Sequence, residues 1–235
     1  MNANEIVEQL RVLGKESYKN VLLKHGIPEP VFGVSVEELK KFQKQIKKNY
    51  QLALDLFETG IYDAMYLAGL IADEKKMRKQ DLQRWLALAH CNSLREYSVA
   101  WVTADSGYGW ELGLEWIASK EEATAATGWA SLASWVALMA DADLDLAELK
   151  ILLGHVRETI HAQDNRVRSC MNGFVIAVGA YVAALTEFSM ELGRQIGPVQ
   201  IDVGDTACKV PFSPDAIAKV QARGSIGKKR KTSRC

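Results

Sequence analysis

A chain of 235 residues, 48% hydrophobic and 25% charged, is long enough for one substantial core or an extended array of packed helices, and it has the composition of an ordinary soluble protein. Its opening, MNANEIVEQL, has neither the basic start nor the apolar run of a secretory signal, and no later stretch approaches the length of charge-free apolar sequence that crosses a bilayer, so a cytoplasmic protein without membrane association is expected. The formal net charge of +0 hides an asymmetry: from residue 216 onward there are seven Lys or Arg and no Asp or Glu, which leaves 22 basic against 29 acidic residues before it. A body near −7 therefore carries a tail near +7.

In chain order, the first clear helix is SVEELKKFQKQIKKNY. Ser35 can cap its first turn with Glu38 as the reciprocal side chain, and Leu39, Phe42 and Ile46 recur at helical spacing. IYDAMYLAGLIAD, MRKQDLQRWLALAH, SLREYSVAWVTA, GWELGLEWIAS, EEATAATGWASLASWVALMA and DLAELKILLGHVRETIHA follow, with further starts at Ser119 followed by Glu122 and at Asp145 followed by Glu148. RSCMNGFVIAVGAYVAAL supplies a later helix. Helices of this length joined by short turns favour stacked pairs, in which neighbours bury the faces that one pair leaves exposed. The expected fold is all-α, an α-solenoid over residues 1–195, with a compact bundle as the alternative.

After residue 195 the pattern changes. GPVQIDVGDTACKVPFSPDAIAKV is punctuated by Gly197, Pro198, Gly204, Pro211 and Pro214, and Ser213 with Pro214 can open a last short helix. Residues 196–235 are expected to form an irregular appendix ending in a mobile basic tail, GSIGKKRKTSRC. Its Lys228, Lys229, Arg230, Lys231 and Arg234 suit a phosphate-following arm, a solubility tail or charge pairing within the molecule.

Metal and cofactor chemistry find no foothold. His25, His90, His155 and His161 are scattered, HExxH, GKT, GKS and GxGxxG motifs are absent, and Cys91, Cys170, Cys208 and Cys235 have no CxxC spacing. The cysteines read as reduced thiols, and ADADLDLAEL reads as a capping loop without the ordered spacing of an EF-hand. No cofactor and no metal are expected.

Six tryptophans, Trp85, Trp101, Trp110, Trp116, Trp129 and Trp135, fall within about 50 residues. Each can fill a gap between helices, and together they can also line an aromatic concavity for a nucleobase or sugar. Glu111 and Glu115 share a helix face, where solvent exposure is the simpler role. Trp101 and Asp105 stand four apart, so an aromatic that holds a modified base can meet a carboxylate that stabilises positive charge on the sugar or positions water. A helix-ending turn at Asp105-Ser106-Gly107 is the competing role.

These features together resemble the bacterial DNA alkylation repair family of HEAT-like repeat DNA glycosylases. The resemblance begins near FGVSVEELKKFQKQIKKNYQLALDLFETGIYDAMYLAGLIAD, runs through most of residues 25–195, and extends to a tail similar to that of a distinct branch. Active members use an aromatic and an aspartate assisted by an arginine, which implies Trp101 and Asp105 as catalytic residues of a metal-independent DNA N-glycosylase. Trp110, Trp129, Phe174 and Tyr181 are the implied substrate-binding aromatics, and Arg166, Arg168, Lys228, Lys229, Arg230 and Lys231 the DNA-binding cations. The sequence departs from the pattern in one respect: no arginine lies between Arg95 and Arg157. The implied function is binding of duplex DNA, damaged or not, with hydrolysis of the N-glycosidic bond of alkylated bases. A non-catalytic DNA-binding relative and a scaffold for a protein partner are the alternatives, and a monomer is expected.

Overall fold

The computed structural model describes residues 1–203 and 209–234, so Cys208, Cys235 and the GDTAC part of the tail motif lie outside the described residues. Among the described residues there are thirteen α-helices and no strand. They pack as two compact units, Met1–Gly107 together with Arg234, and Tyr108–Ser233.

The first unit holds α1 (Ala3–Leu13), α2 (Glu16–Lys24), α3 (Val36–Ile46), α4 (Tyr50–Phe57), α5 (Tyr62–Ile71), α6 (Lys79–Leu88), a π-helical turn (Leu94–Val99) and α7 (Ala100–Asp105). Ser35 caps α3 by accepting the Glu38 N–H, as its spacing predicts, whereas the Glu38 carboxylate accepts from Lys41 instead of turning back to the cap. Every residue of α5 is buried, as expected for a helix that is apolar nearly all round. Around it pack α1, α3, α4 and the π-helical turn. Asp63, the acidic residue within α5, accepts the N–H groups of Phe32 (2.6 Å) and Val34 (2.7 Å) and so fixes the loop that precedes α3. Trp85 lies flat on Phe57 at 4.1 Å, so the first of the six tryptophans is core.

The second unit holds α8 (Gly109–Ile117), α9 (Glu122–Val136), α10 (Leu146–Thr159), α11 (Asn165–Tyr181), α12 (Thr186–Ile196) and α13 (Ser213–Ala222). Its centre is the α9–α11 contact, with α8 against α9, and α10, α12 and α13 against α11. Gly128 permits the α8–α9 approach: a Cβ there would meet Ile117 N at 2.6 Å and Gly113 O at 3.0 Å. Asp145 caps α10 through the Ala147 and Glu148 N–H groups. The expected Ser119 cap is displaced, because α9 begins at Glu122 with Glu121 as its cap and the Ser119 hydroxyl instead accepts the Glu121 N–H. Pro214 lies in the first turn of α13 as predicted, but Ser213 is already within the helix and Phe212, which makes no side-chain cap, stands at its N-cap.

The tail is not the loose arm that its composition suggests. The Gly227 N–H donates to Ala180 O at the end of α11, and the Arg230 N–H donates to Ala137 O just past α9. The ends of helices leave such carbonyls without intrahelical partners, and the tail supplies the donors.

Candidate functional site

The Trp101–Asp105 pair lies on α7, immediately after the π-helical turn. A π turn is wider than an α turn, is rare, and is frequently found at functional positions. Here it leads into a row of rings: Tyr62 to Tyr66 at 6.1 Å, Tyr66 edge-on to Trp101 at 5.9 Å, and Trp101 to Tyr97 at 5.3 Å. The inner three rings are buried, Trp101 at 9% exposure, whereas Tyr97 is 48% exposed. The Tyr62 hydroxyl is within hydrogen-bond distance (3.0 Å) of the Ser93 hydroxyl, and burial raises its pKa well above the ordinary phenol value.

Asp105 does not face open solvent. Its side chain is 9% exposed, and its Oδ2 lies 3.4 Å from Arg234 Nε. The same guanidinium donates to Ala72 O (2.9 Å) and Leu70 O (3.4 Å) at the end of α5 and to Glu74 Oε2 (2.9 Å). Glu74 is also paired with Lys48. A cation at the carbonyl end of a helix is favoured by the helix dipole, so Arg234 acts both as a cap for α5 and as counter-charge to two carboxylates.

The other expected site residues are placed differently. Trp129 and Phe174, at 1% and 0% exposure, pack on each other at 5.2 Å inside the second unit's core. Their rings are occupied by packing within the apolar cluster of the second unit, and His155 of α10 stacks on Trp129 at 6.2 Å. Trp110 is partly buried and packs on Trp135 at 4.8 Å, and Tyr181 is partly buried at the end of α11. Glu111 and Glu115 are solvent-exposed, as the simpler reading has it. Arg166 and Arg168, both partly buried, open α11, and the Arg166 N–H donates to Glu122 Oε1 at 2.7 Å.

Among the tail cations, Lys229 is committed to the protein itself. Its ammonium donates to Val136 O at the end of α9 (3.2 Å) and pairs with Asp141 (2.9 Å). Lys228, Arg230 and Lys231 expose their side chains while the backbone around them is pinned. Cys91 is buried, and burial raises its pKa, which keeps the sulfur a thiol and fits a structural residue.

The family model for DNA alkylation repair enzymes matches residues 6–188. The chain belongs to the DNA alkylation repair enzyme family. The chain is 28% identical to an uncharacterized protein of Listeria monocytogenes serovar 1/2a and 27% identical to one of Listeria innocua serovar 6a, each over 94% of this chain and 97% of the relative. A solved structure described as a new family of proteins related to the HEAT-like repeat DNA glycosylases, with affinity for branched DNA structures, superposes with a TM-score of 0.92 at 34% identity over 100% of both chains. The fold of this DNA alkylation repair family member is therefore the expected array of HEAT-like helical repeats.

Two residues that pack against the Trp101–Asp105 pair, Tyr97 and Arg234, are not among the partners that sequence reasoning gave it. Tyr97 stands four positions before Trp101, the spacing that brings side chains together on a helix, so it was open to detection. Arg234 was seen only as a tail charge, and no local pattern connects it to Asp105.

Proposed function

We propose that this protein is a DNA-structure-binding member of the family, a cytoplasmic monomer that engages the duplex arms of branched DNA through their backbones and does not excise bases. The observation that carries this reading is the contact between Asp105 and Arg234. Base loss builds positive charge on the sugar, and a carboxylate promotes it by presenting negative potential to that charge. Here the Asp105 side chain is only 9% exposed and its Oδ2 faces the buried Arg234 guanidinium at 3.4 Å, which leaves little room for a sugar beside the carboxylate. The full-length likeness to a protein with affinity for branched DNA supports the choice of ligand. Lys228, Arg230 and Lys231, fixed by the pinned backbone, and Arg166 and Arg168 are the phosphate contacts of this reading.

The test has two arms. Affinity for a three-way junction is compared with that for a linear duplex of the same length over a range of salt, and free-base release is followed from duplex DNA carrying cationic alkylated purines. Junction preference without base release is the expected result. Release that disappears in Asp105→Asn would overturn the non-catalytic reading and make Arg234 the arginine of a working glycosylase site.

A further inference from the structure

A half-exposed aromatic ring on a protein surface is ordinary; one seated at the end of a fixed ring row is less so. Tyr97 rests against Trp101 at 5.3 Å, Trp101 is braced edge-on by Tyr66, and Tyr66 is backed by Tyr62. The support is rigid. The π-helical turn that carries Tyr97 lies so close to α5 that a Cβ on Gly69 would stand 2.8 Å from Ser98 Cβ. Ser98 is fully buried, so the turn cannot shift without moving the core. The outer ring is therefore held in place before any ligand arrives, which lowers the entropy cost of stacking on it.

The ring's neighbours in sequence are Arg95 and Glu96, both partly buried, so the platform carries no excess of one charge. A neutral, fixed aromatic face suits a nucleobase, whose own face is available only where the duplex is interrupted. Stacking of this kind is tolerant of base identity, because every base has a π-face. Branch points supply such bases, and continuous duplex does not.

We propose that Tyr97 is a stacking platform for an unpaired nucleobase at the branch point of DNA. This rests on the branched-DNA reading above and adds to it the atom-level reason for preferring a branch over a plain duplex. The three buried rings serve as its backing, and the ring's task is recognition, with no part in bond cleavage.

The experiment uses the full chain and a three-way junction with one unpaired 2-aminopurine at its centre. Binding is read by anisotropy of a distant label, and stacking by quenching of the 2-aminopurine. Wild type and Tyr97→Phe are expected to quench the probe and to bind alike. Tyr97→Leu, similar in bulk but lacking a π-face, is expected to lose the quenching and about fivefold or more in junction affinity, the lower end of what one stacked base contributes, while its affinity for linear duplex stays the same. Normal junction binding with no quenching in wild type, or equal quenching by Tyr97→Leu, would overturn the platform and leave the branched-DNA reading standing. Equal affinity of wild type for junction and linear duplex would overturn both.

Discussion

Arg234 Nε lies 3.4 Å from Asp105 Oδ2, and the remaining guanidinium nitrogens of Arg234 are bonded to Glu74 and to the carbonyls that end α5. An arginine from the far end of the chain thus occupies a buried position beside the one aspartate that the family pattern marks for chemistry.

Removal of that guanidinium leaves two carboxylates buried with less counter-charge. Arg234→Ala is expected to cost about 2–4 kcal/mol, somewhat below the usual loss on breaking a buried pair because Lys48 still neutralises Glu74. Adding Asp105→Asn should recover part of the loss, and denaturant unfolding of the four proteins of the cycle measures the coupling. Additive losses would mean that the two residues do not interact in solution.

Acid should loosen the same region. Burial opposes ionisation of Glu74, but Lys48, a backbone N–H and the charge of Arg234 outweigh it and hold the carboxyl below its ordinary value of 4.5. Asp81, where burial is outweighed by hydrogen bonds from Arg78 and Tyr50, is likewise held below 3.8. A lowered folded pKa gives stability that is complete above the unfolded value and is lost as pH falls through the folded one. Asp63 acts in the opposite sense, since burial raises its pKa and its contribution fades as pH rises. The unfolding midpoint is expected to fall between about pH 5 and pH 3, and Glu74→Gln should flatten the upper part of that decline. Identical pH profiles for wild type and Glu74→Gln would remove Glu74 from the account.

The tail cations should divide into two groups in a salt titration. Replacing Lys228, Arg230 and Lys231 by Gln is expected to lower the slope of log K against log salt by about 0.9 for each residue that contacts a phosphate. Lys229→Gln should leave the slope alone and lower thermal stability, because its ammonium caps α9 and pairs with Asp141. The reverse assignment of the two effects would show that Lys229 faces DNA.

Trp129 and Phe174 provide a test of core against surface. Trp129→Ala and Phe174→Ala are each expected to cost about 3–5 kcal/mol in denaturant unfolding, with unchanged DNA affinity per folded molecule. A small stability loss with weakened binding would return those rings to the DNA surface.

Much of this was legible in the sequence. Helical periodicity and the caps at Ser35 and Asp145 gave the helix starts, since those signals act over three or four residues. The Trp101–Asp105 spacing placed the two side chains one turn apart on a helix, because i,i+4 geometry is also local. What escaped was the partner of Asp105 and the use of the tail. Helix C-terminal carbonyls are identical at every helix, so nothing in the sequence says that Arg234 belongs to α5 or Lys229 to α9. The burial of Trp129 was not legible for a related reason: an aromatic composition is the same for a core as for a cleft, and only the enclosing residues decide between them.

The stitching of α5 by Arg234 bears on synthesis at the ribosome. Glu74 leaves the exit tunnel 160 residues before the arginine that neutralises it, so while those residues are made the end of α5 and its acidic neighbours must wait without their cap. The first unit begins to fold as a nascent chain and reaches its final ion pairing only when Arg234 itself has emerged.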